Sequence, residues 1–230
     1  MEKQNFFYCI LLLHVIQYFL NGVLCQNRQR SMYDYRNGKM SITDEVLSGK
    51  EILLEKRMAN NAWWCVVAWN KLYKKELFRT LRYPVGKNHE DEWIIHRLLW
   101  DIKQIACISY VGYNYIQRDT SISNSYNAKT LDAIDAYLDR YDFYKENNVS
   151  SKVRYINLIR CYYVLYAIYE SADFKSEPLL SRLIKCSSEI KKRSRSLWKE
   201  PLLFGQRIFL AMNYISPYYT WRLKRIIKRR

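Results

Sequence analysis

The segment RCYYVLYAIYE, residues 160–170, constrains the fold of this chain more than any other stretch. Tyr162, Tyr166 and Tyr169 stand at positions i, i+4 and i+7, which places them on one face of an α-helix. A second apolar stripe runs beside this face and consists of Leu158, Cys161, Leu165 and Ile168. Because a helix that is apolar on two faces must be covered on both, the pattern predicts a central helix inside a helical protein.

Composition supports an all-α fold. The 230 residues include only 6 Gly and 4 Pro, which are few for a sheet-rich sandwich, and strand alternation is nowhere stronger than helical periodicity. A hydrophobic content of 49% argues against disorder, and the length allows one or two small domains with a core. A capping box of Ser48 and Glu51 opens the first predicted helix. The predicted helices cover residues 51–81, 89–118, 131–146, 151–169, 178–194, 197–215 and 217–230.

The N-terminus has the layout of a secretory signal peptide. A short polar start with Lys3 precedes the apolar run FFYCILLLHVIQYFL, and small residues follow before Gln26. The run is short for a spanning helix and is interrupted by His14 and Gln17, so cleavage near Cys25 is predicted. An uncleaved membrane anchor is the alternative interpretation. Cleavage predicts a secreted, extracellular protein.

Cysteine usage fits that compartment. Cleavage leaves four cysteines, and an even number in an oxidising environment predicts two disulfides. Three connectivities are open from the sequence alone. No CxxC pair occurs, so neither a zinc site nor a thioredoxin-type motif is indicated. The four residues are Cys65, Cys107, Cys161 and Cys186.

Two parts of the chain share one order of features. In each, a cysteine is followed eight positions later by a tyrosine, and a break and a second predicted helix with one cysteine come next. The repeat predicts two helical hairpins packed into a bundle. The simplest pairing joins the two cysteines within each hairpin, because antiparallel neighbours bring such residues close together. The two units are Cys65–Tyr73–Cys107 and Cys161–Tyr169–Cys186.

The predicted organisation has five parts. A signal peptide over 1–25 precedes a flexible lead-in over 26–47. The first helical unit covers 48–120, and a connecting helix and loop cover 121–149. The second unit covers 150–230 and ends in a basic C-terminal helix.

A secretory signal followed by two cysteine–tyrosine–cysteine units resembles the bicycle proteins of aphids and their relatives. The resemblance is one of layout and covers most of the mature chain; Tyr110 or Tyr163 would also fit the tyrosine position. It implies a helical, disulfide-stapled salivary effector that is delivered into plant tissue and is associated with gall formation. The motif tyrosines would be Tyr73 and Tyr169.

The sequence indicates no catalytic centre, metal site or cofactor. His89 and His96 lie near Glu92, but HEDEWIIH is not the zinc-protease motif, and surface or capping histidines are the preferred interpretation. Neither a GxSxG elbow nor a phosphate-binding glycine loop occurs. Four aspartates share one helix side without the loop geometry of a calcium site, which predicts a solvated acidic face or a docking face for the chain's own basic segments. They are Asp132, Asp135, Asp139 and Asp142.

The net charge of +16 is concentrated in KKRSRS, residues 191–196, and in RLKRIIKRR, residues 222–230. Basic clusters beside aromatic and aliphatic residues favour an anionic partner, such as a membrane surface, nucleic acid or an acidic protein. A solubilising helix end and a nuclear-import signal used after entry into a host cell are the alternatives. No recognised nucleic-acid module accompanies the runs. The cations of the tail are Arg222, Lys224, Arg225, Lys228, Arg229 and Arg230.

Three functions fit these observations. The leading hypothesis is a non-enzymatic effector that binds a host macromolecule, with a protein as the expected partner. The alternatives are a helical carrier of a small apolar ligand and a basic binder of nucleic acid or membrane surfaces. Asn148 opens a glycosylation sequon in a predicted exposed break, which is compatible with secretion.

Overall fold

The computed structural model describes residues 22–26, 45–55, 65–108, 127–171 and 174–228. These residues form two compact units, of which the first contains 22–26, 45–55, 65–83 and 94–108. The second contains 84–93, 127–171 and 174–228. The described chain is mostly helical, as predicted.

The first unit is built on a four-stranded mixed sheet. Its strands are β1 (Gly22–Gln26), β2 (Glu45–Leu47), β3 (Lys71–Tyr73) and β4 (Gln104–Ile108), in the order β2-β4-β1-β3. Strand β1 runs parallel to β4 and antiparallel to β3. Strand β2 pairs with β4 in antiparallel fashion. The predicted cleavage site lies inside β1, so cleavage there would remove the strand that joins β3 to β4.

The prediction of one helix over residues 51–81 is wrong in the described residues. The capping box is present, since the Ser48 amide donates to Oε2 of Glu51 at 2.6 Å and the Glu51 amide donates to the Ser48 hydroxyl at 3.2 Å. It opens one helical turn that continues as a π-helix over Glu51–Glu55, and residues 56–64 lie outside the described residues. Residues 65–81 form short 3₁₀ turns and strand β3. Pairing of β3 with β1 satisfies its backbone in place of helical hydrogen bonds.

The second predicted helix, over residues 89–118, is shorter than expected. It forms α1, Glu90–Trp100, whose acidic first turn suits the positive end of the helix dipole. Beyond a short turn the chain extends into β4, which pairs with β1 and β2. Cys65 therefore lies in a short 3₁₀ turn and Cys107 on a strand, so the first unit is not the predicted helical hairpin.

A close backbone approach fixes the packing of the first unit. An added Cβ on Gly49 would lie 1.7 Å from the carbonyl oxygen of Leu99, which leaves no room for any side chain. The Gly49 amide also donates to the carbonyl of Ile102 at 2.8 Å. The core of this unit contains Ile52, Leu53, Cys65, Val66, Ile95, Leu99, Ile105 and Cys107.

The second unit contains five α-helices and the 3₁₀ helix Ala128–Leu131, in addition to the first turn of α1. Four of the α-helices lie within about three residues of their predicted positions, whereas the helix predicted over 197–215 begins only at Phe204, because Pro201 lacks the amide hydrogen that a helix needs there. The Ser216 hydroxyl accepts from the Tyr219 amide at 3.3 Å, as expected for the predicted start of the last helix. The bounds are α2 Asp132–Glu146, α3 Ser151–Tyr169, α4 Leu179–Leu197, α5 Phe204–Ile215 and α6 Pro217–Lys228.

Helix α3 is the central helix that its two apolar stripes predict. All four members of the Leu158–Ile168 stripe are 0% exposed, and Tyr162, Tyr166 and Tyr169 on the other face are also buried. Helices α2, α4 and α6 pack around it. The Tyr162 hydroxyl shares a hydrogen bond with the Ser194 hydroxyl at 2.9 Å, and the Tyr166 hydroxyl donates to Asn213 at 2.5 Å. The buried tyrosines therefore use their hydroxyl groups to fix α3 against α4 and α5.

A buried salt bridge fixes α1 against α2 within the second unit. Arg140 is 0% exposed, and its guanidinium donates to Oε2 of Glu92 at 2.6 Å and to the Glu92 carbonyl oxygen. The Tyr137 hydroxyl also donates to Glu92 at 3.4 Å. A charged pair so far from water depends on having both partners present.

Candidate binding surface

The described residues contain no group of three or more metal-ligating side chains. His89 precedes α1, and its carbonyl accepts from the Glu92 amide at 3.0 Å, which is the predicted capping position. His96 is wrongly predicted as a surface residue: it is 0% exposed, and its Nε2 lies 2.5 Å from the guanidinium of Arg97. His96 lies on α1 beside Ile95 and Leu99, which pack in the core of the first unit.

The four cysteines Cys65, Cys107, Cys161 and Cys186 are buried thiols, and no two of their sulfur atoms lie at bonding distance. Each predicted pair nevertheless shares one hydrophobic core, the first pair in the core of the first unit and the second pair around α3. Burial and the nearby Cys186 raise the pKa of Cys161 well above its usual range. Burial is also the main cause of the raised pKa of Cys186. A high pKa disfavours the thiolate, so neither sulfur is a prepared nucleophile.

The two motif tyrosines have different surroundings. Tyr73 is half-buried on β3, and its ring makes an edge contact with Phe78 at a centroid distance of 5.5 Å. Tyr169 is buried in an aromatic cluster, with ring centroids of Phe174, Tyr218 and Trp221 at 5.7, 5.4 and 5.9 Å. Both positions stabilise their own unit and offer little ring surface to a partner.

The acidic face of α2 serves as a docking face for basic residues of the chain itself, which is one of the two predicted alternatives. Arg182 on α4 binds Asp132 at 2.9 Å and also contacts Asp135. Arg193, inside the basic run 191–196, donates from Nε and Nη2 to the carboxylate of Asp142 at 2.5–3.1 Å. These arginines fix α4 to α2 and are not available to an external anion.

The basic tail falls on α6, and its described cations have a different environment. Arg222, Lys224 and Arg225 are exposed and lie within ion-pair distance of no carboxylate in the described part of the chain. Lys228 ends the helix, while Arg229 and Arg230 lie outside the described residues. A solvent-exposed apolar stripe lies among these cations. Its members are 44–67% exposed and are Tyr219, Leu223, Ile226 and Ile227. We call this surface the α6 face.

One tail cation helps to hold α6 on the protein. The ammonium group of Lys224 lies 5.1, 5.5 and 5.0 Å from the ring centroids of Tyr163, Tyr166 and Phe209. Partial desolvation lowers the pKa of Lys224, and three ring faces offset this by cation–π attraction. The apolar stripe is therefore presented from a helix that is anchored to α3 and α5.

A cleft of about 530 Å³ between α4 and α5 was not predicted from the sequence. Its lining residues are Ser194, Arg195, Trp198, Lys199, Leu210, Ala211, Tyr214 and Ile215. The basic run gives a partial signal, because Arg195 and Lys199 follow Lys191 at intervals of four residues. The apolar wall comes from a helix 10 to 20 positions later, and only the packing of α5 on α4 creates the cleft.

Asn148 occupies the exposed turn between α2 and α3, as the sequon prediction requires. Its φ of 56° is left-handed, and its amide donates to the Lys145 carbonyl at 3.2 Å. The next amide, of Val149, donates to the Tyr144 carbonyl at 2.9 Å. These two bonds form a Schellman motif, in which asparagine is the usual substitute for glycine. Asn148 is thus exposed at the end of α2.

No helix in the described ranges combines the length and the apolar character needed to cross a membrane. The chain matches no protein-family model, no curated protein and no solved structure.

Proposed function

We propose that this chain is a secreted, non-enzymatic effector that acts on a plant host by binding a host protein through the α6 face. The main support for this proposal is a difference between four arginines and the tail cations of the second unit in whether they bind a carboxylate. Arg140, Arg154, Arg182 and Arg193 bind carboxylates of the chain, whereas the described cations of α6 bind none. Unpaired cations beside exposed aliphatic residues attract an anionic partner and supply apolar contact area.

The layout of the chain supports the effector assignment. The predicted signal peptide and the two cysteine–tyrosine–cysteine units are the features that resemble bicycle proteins, and a link to gall formation follows from that resemblance. Expression of the transcript in salivary glands is the expected observation. N-terminal sequencing of secreted protein is expected to begin at Gln26.

Two disulfides are part of the proposal. We infer that the secreted protein joins Cys65 to Cys107 and Cys161 to Cys186, because the members of each pair share one core. Closure of such loops would stabilise the fold by roughly 3–4 kcal/mol each on the chain-entropy model. Peptide mapping without reduction tests this directly. Recovery of Cys65 bonded to either cysteine of the second unit would contradict it.

Binding to a host protein is tested with purified secreted material. The protein is immobilised, incubated with plant extract, and the captured protein is identified, purified and titrated against the effector by calorimetry. The double variant Arg222→Glu, Arg225→Glu is expected to weaken binding by about 100-fold, because two exposed attractive charges become repulsive ones.

A matched control carries the same charge change elsewhere on the second unit. Lys152→Glu, Lys192→Glu alters two exposed lysines away from α6 and is expected to retain most of the affinity. Equal loss in both variants would show that only net charge matters and would contradict a role for the α6 face.

An anionic membrane surface is a second candidate, favoured by the apolar stripe of α6. Co-sedimentation with vesicles of phosphatidylcholine and phosphatidylserine tests it, and Leu223→Asp, Ile226→Asp is expected to abolish sedimentation. Sedimentation that disappears at high salt in the wild-type protein would indicate counterion release alone.

A further inference from the structure

The cleft between α4 and α5 combines an apolar wall with unpaired positive charge. Leu210 forms its floor and is 0% exposed, while Trp198 and Ile215 at its rim are 40% and 79% exposed. Large apolar side chains left open to water around a concave site are typical of ligand-binding surfaces. A volume of about 530 Å³ lies within the range of small-molecule sites.

The charged side chains that line the cleft are both positive. Arg195 and Lys199 line it, and neither lies within ion-pair distance of a carboxylate among the residues that the structure describes. The Ser194 hydroxyl is already engaged by the Tyr162 hydroxyl at 2.9 Å. The two cations are therefore the charged groups available to a bound anion.

A third cation, Lys191, contacts two of the lining residues and has a different role. Lys191 donates to the carbonyl of Ile215, the last residue of α5, at 3.4 Å, and its ammonium group lies 5.8 Å from the ring of Tyr214. It compensates the negative end of the α5 dipole. Because Lys191 already binds the C-terminal end of α5, Arg195 and Lys199 are not required to compensate the helix dipole.

We propose that this cleft binds a single-chain amphiphile with a carboxylate head, that is, a fatty acid. The acyl chain lies against Trp198, Leu210 and Ile215, and the carboxylate binds Arg195 and Lys199. This proposal does not depend on the α6 face or on the host partner, because no residue of the α6 face lines the cleft.

The test uses cis-parinaric acid, a fluorescent fatty acid, with the full secreted protein. Saturable binding of one molecule per chain is expected, together with displacement by oleate. The variant Arg195→Glu, Lys199→Glu is expected to weaken binding by at least about tenfold, since charge-assisted contacts of the carboxylate are lost. Ala211→Trp, which fills the cleft from the α5 side, is expected to abolish binding.

The control variant is Lys192→Glu, which changes an exposed lysine of α4 that does not line the cleft. It is expected to bind the probe like the wild type. Circular dichroism checks that each variant is folded, and the double charge variant remains informative if Ala211→Trp does not fold.

Three results would overturn the proposal. One is an absence of saturable binding, and another is unchanged affinity in the double charge variant. The third is displacement of the probe by oleyl alcohol as effectively as by oleate, because this would remove the role of the carboxylate. Loss of host-protein binding in the α6 variants has no bearing on these outcomes.

Discussion

Arg140 and Glu92 show how a single side-chain pair determines the stability of the second unit. The Arg140 side chain is fully buried and the Glu92 side chain is 12% exposed, so neither charge is hydrated when its partner is absent. Arg140→Leu is expected to lower the free energy of unfolding by about 3–5 kcal/mol.

The double variant Arg140→Leu, Glu92→Leu is the control for this prediction. It removes both charges, and it is expected to be more stable than the single variant because no unpaired carboxylate remains buried. Urea denaturation measures both values. A double variant that is less stable than Arg140→Leu would contradict the explanation.

Asp91, in the first turn of α1, links stability to pH. Burial, followed by the charges of Glu92 and Glu90, raises the pKa of Asp91 from 3.8 to about 6. Since the folded state holds this proton more tightly than the unfolded chain, the contribution of Asp91 to stability is present below about pH 4 and is lost as the pH rises to about 6.

Asp91→Asn removes this titration and keeps an acceptor for the Glu92 amide, which now bonds Oδ1 of Asp91 at 2.8 Å. At pH 7 the free energy of unfolding of the variant is expected to be higher than that of the wild type by up to about 3 kcal/mol. The decrease in wild-type stability between pH 4 and pH 6 is expected to be absent in the variant. Urea titrations at pH 4, 5, 6 and 7 measure this. The exposed Asp101→Asn is the control, and an unchanged pH slope in Asp91→Asn would refute the assignment.

At the scale of elements, the end of α2 allows glycosylation to be separated from folding. Asn148→Gly destroys the sequon, but glycine adopts the left-handed conformation of the Schellman motif at least as readily as asparagine. The variant is expected to lose any glycan-dependent mass of the secreted protein while its unfolding free energy stays within about 0.5 kcal/mol.

Mass spectrometry and urea denaturation of the same samples check the two parts. Asn148→Val is the matched variant, because it also removes the sequon but places a β-branched residue at positive φ. It is expected to be less stable than Asn148→Gly. A mass difference that equals the asparagine-to-glycine substitution alone would exclude a glycan at this position.

At the scale of the whole molecule, the two units have separate cores and can be perturbed separately. Gly49→Ala places a Cβ against the Leu99 carbonyl, and the backbone of the first unit must shift to admit it. Amides of β4 are therefore expected to exchange at least about tenfold faster, whereas those of α3 and α4 keep their wild-type rates. Hydrogen exchange with mass spectrometry measures this. Equal acceleration in α3 would contradict separate cores.

Sequence patterns located the helices of the second unit because the signals are local. The stripes of α3 repeat within a few residues, and Ser216 caps α6 three residues from the amide it binds. The acidic face of α2 was interpreted correctly for the same reason. The residues that bind this face, Arg182 and Arg193, lie on α4, and only the structure identifies them.

The architecture of the first unit and the cleft between α4 and α5 both depend on contacts between distant parts of the chain. Strand β3 pairs with residues about 50 positions earlier, and β4 gains both of its neighbours across similar or longer separations, so no local periodicity reveals them. The central helix, the basic tail and the exposed turn at Asn148 follow from local sequence alone, because each depends on neighbouring residues. The partner of Arg140, the position of Cys107 on a strand and the cleft between α4 and α5 depend on distant segments, and only their packing brings them together.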